Sequence, residues 1–158
     1  MTFAYWMLLV AASLPYFTVA LAKSDGFDNH APRPGLENLT GWRRRADWAH
    51  RNHFEAFPAF AAGVVVAELA HAPQSRIDLL AGLFVLLRLI YTALYLADLA
   101  TLRSIVWSLG LLTVICCSCL AFDGTKCFEL RRGPLAYAQN QALTTLMVRP
   151  EVGSKPGG

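Results

Sequence analysis

Residues 45–58 read RADWAHRNHFEAFP and run without a break into the apolar AFAAGVVVAELA. Arg45, His50, Arg51, Asn52, His53 and Glu55 therefore enter a segment of membrane length. At helical spacing, in steps of three, four and three, Arg45, Trp48, Asn52 and Glu55 share one face. Ionisable groups inside a membrane helix are costly, usually face a bundle interior or a wet cavity, and mark a functional site. The alternative is a snorkelling arginine and an interhelical hydrogen bond.

Composition supports a bilayer as the solvent. Of 158 residues, 55% are hydrophobic and only 16% charged, too apolar a balance for a soluble domain of this length. Four stretches reach the roughly 20 apolar residues that a span requires: 3–22, 47–70, 77–97 and 102–122. They predict an all-α integral membrane four-helix bundle over residues 1–122, followed by an irregular tail over 123–158. The net charge of +3 comes from arginines gathered at helix ends, without the motifs of a nucleic-acid binder, which excludes that class.

The first segment ends in Ala20-Leu21-Ala22, which resembles a signal-peptidase site. No Lys or Arg precedes it, however, and its apolar run exceeds a signal core, so it reads as a retained helix. Residues 23–44 carry Gly26, Pro32, Pro34, Gly35 and Gly41 and predict an irregular loop. Ser75 is a candidate cap for the third helix, with Pro73 discouraging continuation of the second.

The third helix places Arg88 near its middle, with Tyr91 and Tyr95 on the same face. A mid-membrane arginine needs a partner. Glu55 is the first candidate and Glu68 the second, with a purely structural ion pair as the alternative role. The short turn DLAT returns the fourth helix antiparallel, which brings Arg45, Arg51, Tyr95, Arg103 and Ser104 toward one membrane face. Cys116, Cys117 and Cys119 lack zinc-site spacing and read as packing residues, and Cys127 as a free thiol beyond the membrane. His50 and His53 lack a pattern that would complete a metal site, so no metal is expected. Six basic residues, Lys23, Arg33, Arg43, Arg44, Arg45 and Arg103, stand against Arg76, Lys126, Arg131 and Arg132 on the terminal side. That balance places the first loop in the cytoplasm.

Taken together, RADWAHRNHFEAFPAF, RLIYTALY and YLADLATLRSIVW resemble the MAPEG family, the membrane-associated proteins in eicosanoid and glutathione metabolism, and most of all its bacterial members. The resemblance implies a bacterial inner-membrane homotrimer of four-helix subunits, with glutathione as cosubstrate between neighbours near the cytoplasmic face. Family enzymes join glutathione to lipophilic electrophiles, reduce lipid hydroperoxides or isomerise a lipid peroxide. Asn52 and Glu55 match the second-helix pair that holds the glutathione backbone, and Arg51 an arginine found there in some members. Arg88, Tyr91 and Tyr95 match the third-helix pattern, Tyr91 standing where some members have His. Arg103 and Ser104 match the fourth-helix pair in which the arginine faces the thiol. Trp48 stands where the eicosanoid enzymes place a glutathione-binding arginine, a role left to Arg45 or Arg51, and the turn before Arg103 is one residue shorter than in the prostaglandin synthase.

The residue chemistry fits independently. Glutathione carries two carboxylates and an ammonium, which call for guanidinium forks, a carboxylate and hydrogen-bonding amides or phenols. Arg45, Arg51, Arg88, Glu55, Asn52, Tyr91 and Tyr95 provide that set. The expected function is a glutathione transferase or peroxidase acting on lipophilic small molecules that arrive through membrane lipid. The alternative is a non-catalytic membrane protein that binds an anionic ligand or assists assembly.

Overall fold

The computed structural model describes residues 1–24 and 27–122. Its elements are α1 (Phe3–Ala22), α2 (Pro32–Glu37), α3 (Gly41–Leu69) and α4 (Gln74–Leu96), then α5 (Ala100–Phe122). Among the described residues there is no strand. The expected irregular loop contains α2, which Pro32 opens at a position where a missing N–H costs nothing. The tail from 123 onward, with Cys127, lies outside the described residues.

Three helices, α1, α4 and α5, are long and apolar enough to cross a membrane. The fourth expected span is helical but is not among them, because Asp47 and the arginines make its N-terminal half polar, and Glu55 and Glu68 bracket the apolar remainder. At 29 residues, α3 is about 43 Å long against a hydrocarbon core of ~30 Å. It starts six residues earlier than the sequence suggests. Gly41, at φ +59°, takes the left-handed turn into the helix that glycine adopts without penalty.

Contacts fix the directions of the long helices. α1 runs antiparallel to α3: Thr2 Oγ1 donates to Glu68 Oε1 at 2.9 Å, His50 Nδ1 donates to the Pro15 carbonyl at 2.8 Å, and Arg43 Nε donates to the Ala22 carbonyl at 3.0 Å. The Asp78 carboxylate on α4 accepts the Ala4 N–H at 2.8 Å, satisfying a first-turn donor of α1. Gln74 Nε2 joins Glu68 and Asp78, at 3.0 Å from each. Glu68 is thus occupied at the helix ends and is not the partner of Arg88.

Between these helices the core is built from small and β-branched residues around one aromatic pair. Ala4, Ala11, Val64, Ala67, Ile77 and Ala81 are buried, and Phe60 stacks on Phe84 with ring centroids 3.9 Å apart. α5 approaches α3 at Gly63, where an added Cβ would lie 3.2 Å from Ser118 Oγ. Cys117 joins this core, whereas Cys116 and Cys119 are exposed.

Both tight turns close without glycine. After α3, Ala72 N–H bonds the Ala67 carbonyl (3.1 Å) and His71 N–H that of Glu68 (3.0 Å), with His71 at φ +54°. After α4, Leu99 N–H bonds the Leu94 carbonyl (3.0 Å) and Asp98 N–H that of Tyr95 (3.2 Å), with Asp98 at φ +64°. These paired bonds satisfy carbonyls that a helix end otherwise leaves open. The N-cap of α4 is Pro73 and no side chain bonds there, so Ser75 lies inside the first turn instead of capping it.

Arg45 completes the α4 terminus. Its Nε and Nη2 donate to the Leu96 carbonyl at 3.3 and 3.1 Å, and Nη1 lies 3.5 Å from the exposed Asp98 carboxylate. A cation here also complements the helix dipole. Arg45→Met is predicted to destabilise the protein by about 1–2 kcal/mol, while Asp98→Asn, which retains a residue tolerant of positive φ, leaves thermal unfolding nearly unchanged. Equal losses in the two variants would show that the exposed ion pair, not the carbonyl cap, carries the effect.

Candidate functional site

Helical spacing on three elements converges on one open cleft. From α3 come Trp48, Arg51, Asn52 and Glu55, from α4 Tyr91 and Tyr95, and from α5 Arg103; they line a cavity of about 510 Å³. This volume falls within the roughly 300–1,000 Å³ of small-molecule sites. The cleft lies where the polar half of α3 meets the start of α5.

Behind its wall sits Arg88, 4% exposed. Its Nη2 donates to Asn52 Oδ1 at 2.9 Å, and Nε donates to His53 Nδ1 at 3.2 Å. His53 Nε2 is 2.9 Å from Thr92 Oγ1, whose own proton goes to the Arg88 carbonyl at 2.9 Å. Thr92 must then accept from His53, which assigns the ring proton to Nε2 and leaves Nδ1 as the acceptor facing the guanidinium. Asn52 Nδ2 in turn donates to Glu55 Oε2 at 3.1 Å. Glu55, the first-choice partner of Arg88 on sequence grounds, is therefore linked to it only through Asn52. An arginine at mid-membrane costs from ~3 to above 10 kcal/mol. Two charge-assisted hydrogen bonds, at about 1.5–3 kcal/mol each, offset much of this.

Aromatic faces extend the arrangement toward α5. The Arg88 guanidinium lies 4.5 Å from the Tyr91 ring centroid; Tyr91 meets Tyr95 edge-on at 5.4 Å; and the Arg103 guanidinium lies 4.3 Å from the Tyr95 centroid. Trp48 packs beside Tyr95 at 6.4 Å and receives Arg44 on its face at 5.4 Å. Each cation–π contact is worth about 0.5–2 kcal/mol depending on desolvation. Their larger effect is positional, since Arg103 is held over a ring at the edge of the cleft.

Arg51 is oriented from its own helix. Its Nε lies 3.1 Å from Asp47 Oδ2, and Asp47 is buried at 1% exposure. This ion pair leaves the terminal nitrogens of Arg51 engaged by no described residue.

Of the residues singled out in the sequence, Arg51, Asn52, Glu55, Tyr91, Tyr95 and Arg103 line the cleft together, with Arg88 behind them. Arg45 is turned to the α4 terminus, and Ser104 Oγ bonds the Ala100 carbonyl of its own helix at 3.1 Å, outside the cleft. His50 and His53 face different neighbours. His53, Thr92 and Asp47 were not singled out for these roles. Thr92 stands four residues after Arg88 and Asp47 four before Arg51, a spacing that brings side chains together on a helix. A second, smaller cavity of about 150 Å³ adjoins the cleft at Asn52 and Glu55, with Arg88, Phe84 and α5 around it.

Direct contact predicts where energetic coupling lies. Arg88→Met and His53→Leu are expected to couple by about 0.5–3 kcal/mol in a double-mutant cycle of detergent stability. Arg88→Met and Glu55→Gln should come close to additive. The reverse ranking would mean that the carboxylate, not the imidazole, satisfies the guanidinium.

No curated protein and no solved structure matches the chain. The family model described as MAPEG family matches residues 2–122, nearly all of the described chain. With apolar helices that can span a bilayer and a family match of that extent, this is an integral membrane protein that belongs to the MAPEG family.

Proposed function

We propose that the protein is a membrane-bound glutathione transferase or glutathione-dependent peroxidase whose second substrate is a lipophilic electrophile or hydroperoxide. The observation that carries this reading is the composition of the cleft: Arg51, Glu55, Asn52 and two tyrosines on one side, and a guanidinium held over Tyr95 on the other. Arg51 suits a glycyl or glutamyl carboxylate, Glu55 the ammonium, and Asn52 and the phenols the peptide groups. Arg88 acts from behind, fixing Asn52 and Tyr91. Arg45 and Ser104 take no direct part.

In this reading Arg103 faces the thiol. A thiol of pKa about 8.5 is only about 3% thiolate at pH 7, and the thiolate is the nucleophile. Lowering that pKa by about two units requires ~2.7 kcal/mol of preferential stabilisation of the anion, within reach of one guanidinium in a partly dry site. Transfer then joins the thiolate sulfur to the electrophilic carbon as the leaving group departs. In the peroxidase reaction the thiolate sulfur attacks the terminal peroxide oxygen, the O–O bond breaks, the alkoxide takes a proton and leaves as the alcohol, and a second glutathione thiol displaces water from the resulting sulfenic acid to give the disulfide.

In this reading the four long helices form one subunit of a homotrimer, with the cleft completed by a neighbour. The first loop faces the cytoplasm of a bacterial inner membrane, where glutathione is found. The cleft is open over much of its extent, which supports the need for a covering subunit.

Two measurements test the proposal. Arg103→Leu should remove the ultraviolet thiolate band of bound glutathione and lower turnover of a chloronitrobenzene at pH 7 by about 25-fold, the ratio set by the thiolate fractions, while affinity changes modestly. An unchanged thiolate band in the folded, ligand-bound variant rejects the role of Arg103. Separately, glutathione binding should vanish when detergent dissociates the oligomer; one glutathione per isolated subunit at undiminished affinity rejects the shared site. Binding without turnover of either substrate class would leave a ligand-binding membrane protein in place of an enzyme.

A further inference from the structure

The smaller cavity between α3, α4 and α5 is too small to enclose a tripeptide. Its volume is about 150 Å³, and Phe84, Leu111 and Val114 make much of its wall apolar. Gly110 also lines it, and that position is buried. A Cβ built there would meet no described residue within 4 Å. Glycine inside a helix costs roughly 0.5–1 kcal/mol relative to alanine, and at Gly63 the close approach of Ser118 accounts for it. At Gly110 no neighbour does. The glycine keeps a space open.

Two polar groups interrupt the apolar wall. Arg88 lines the cavity; its Nε and Nη2 are committed to His53 and Asn52, while Nη1 donates to no described residue. Glu55 lines it too; Oε2 accepts from Asn52, while Oε1 accepts from no described residue. One charged donor and one charged acceptor thus border an otherwise oily space.

We propose that this cavity is a binding subsite for the hydroxyl head of a single-chain bilayer amphiphile, a long-chain alcohol in the simplest case. A hydroxyl oxygen accepts from Arg88 Nη1 while its proton goes to Glu55 Oε1, satisfying both groups at once. An anionic head would meet the Glu55 carboxylate, and an alkyl end would leave both charged groups unsatisfied. A two-chain phospholipid head exceeds the space, which is below the roughly 300 Å³ of the smallest ordinary ligand pockets. The alkyl chain leaves along α5, whose Leu112 and Ile115 are exposed on the helix surface. The inference goes beyond the glutathione reading and does not rest on it.

The test uses the full-length protein in phosphatidylcholine nanodiscs with a diazirine-bearing hexadecanol, and cross-links are mapped by mass spectrometry. Labelling is expected to concentrate between Trp107 and Val114, and unlabelled hexadecanol should compete about tenfold better than hexadecane, the factor for one net hydrogen bond. Gly110→Leu, which fills the space, should abolish that labelling without lowering the unfolding temperature. Gly110→Ala, which strengthens the helix, should reduce it in part and keeps the test open if the leucine variant misfolds. Labelling spread evenly over the lipid-facing surface, equal competition by alcohol and alkane, or undiminished labelling in both variants would overturn the proposal, leaving a cavity filled by water or by a neighbouring subunit's side chain.

Discussion

A buried guanidinium in contact with no carboxylate among the described residues sets the terms for this structure. Arg88 requires acceptors at membrane depth, and α3 supplies two on consecutive residues, the Asn52 amide oxygen and the His53 ring nitrogen. Meeting both fixes how far α3 can slide or rotate against α4. The same register brings Trp48, Asn52 and Glu55 level with Tyr91 and Tyr95. A neutral imidazole and an amide solvate the charge without cancelling it, so the positive potential behind the cleft survives burial.

The arginines of this chain divide into distinct physical roles. Arg45 closes a helix end, Arg51 leans on a buried aspartate, Arg88 ties two helices together, and Arg103 rests on a tyrosine ring. Each role uses the planar fork or its face in a way that a lysine ammonium cannot reproduce. Substituting lysine at any of the four would preserve charge and lose geometry.

Much of this was legible in the sequence because membrane helices are written in long apolar runs with conspicuous interruptions. The extents of α1, α4 and α5 follow from hydropathy; helical spacing and short turns bring Arg51, Tyr95 and Arg103 toward one end, while Asn52, Glu55 and Tyr91 join them through the family resemblance. The family was legible too, from motifs spread over three helices. What was not legible depends on side-chain reach. On sequence Glu55 is the evident partner of Arg88 because opposite charges attract at any spacing, whereas the nearer His53 carries no charge that marks it as the acceptor. Arg45 shares a helical face with the cleft residues, yet its long stem carries the guanidinium to a carbonyl at the end of α4. The absence of glycine from both tight turns hid their left-handed closures, and α2 was hidden by the prolines and glycine that usually mark a loop.

The length of α3 has a further consequence. At about 43 Å it outreaches the hydrocarbon by some two turns, and apart from Glu68 its charged residues fall between Arg43 and Glu55, toward the end near the start of α5. Trp48, Asn52 and Glu55 lie close to where that excess begins, so water and oil border the same few residues. A water-soluble reactant and an oil-soluble one can then meet there by partitioning alone, each staying in the phase that dissolves it. Bilayer thickness becomes a chemical variable, because a thinner leaflet raises the waterline toward Arg88 and a thicker one draws the cleft into oil.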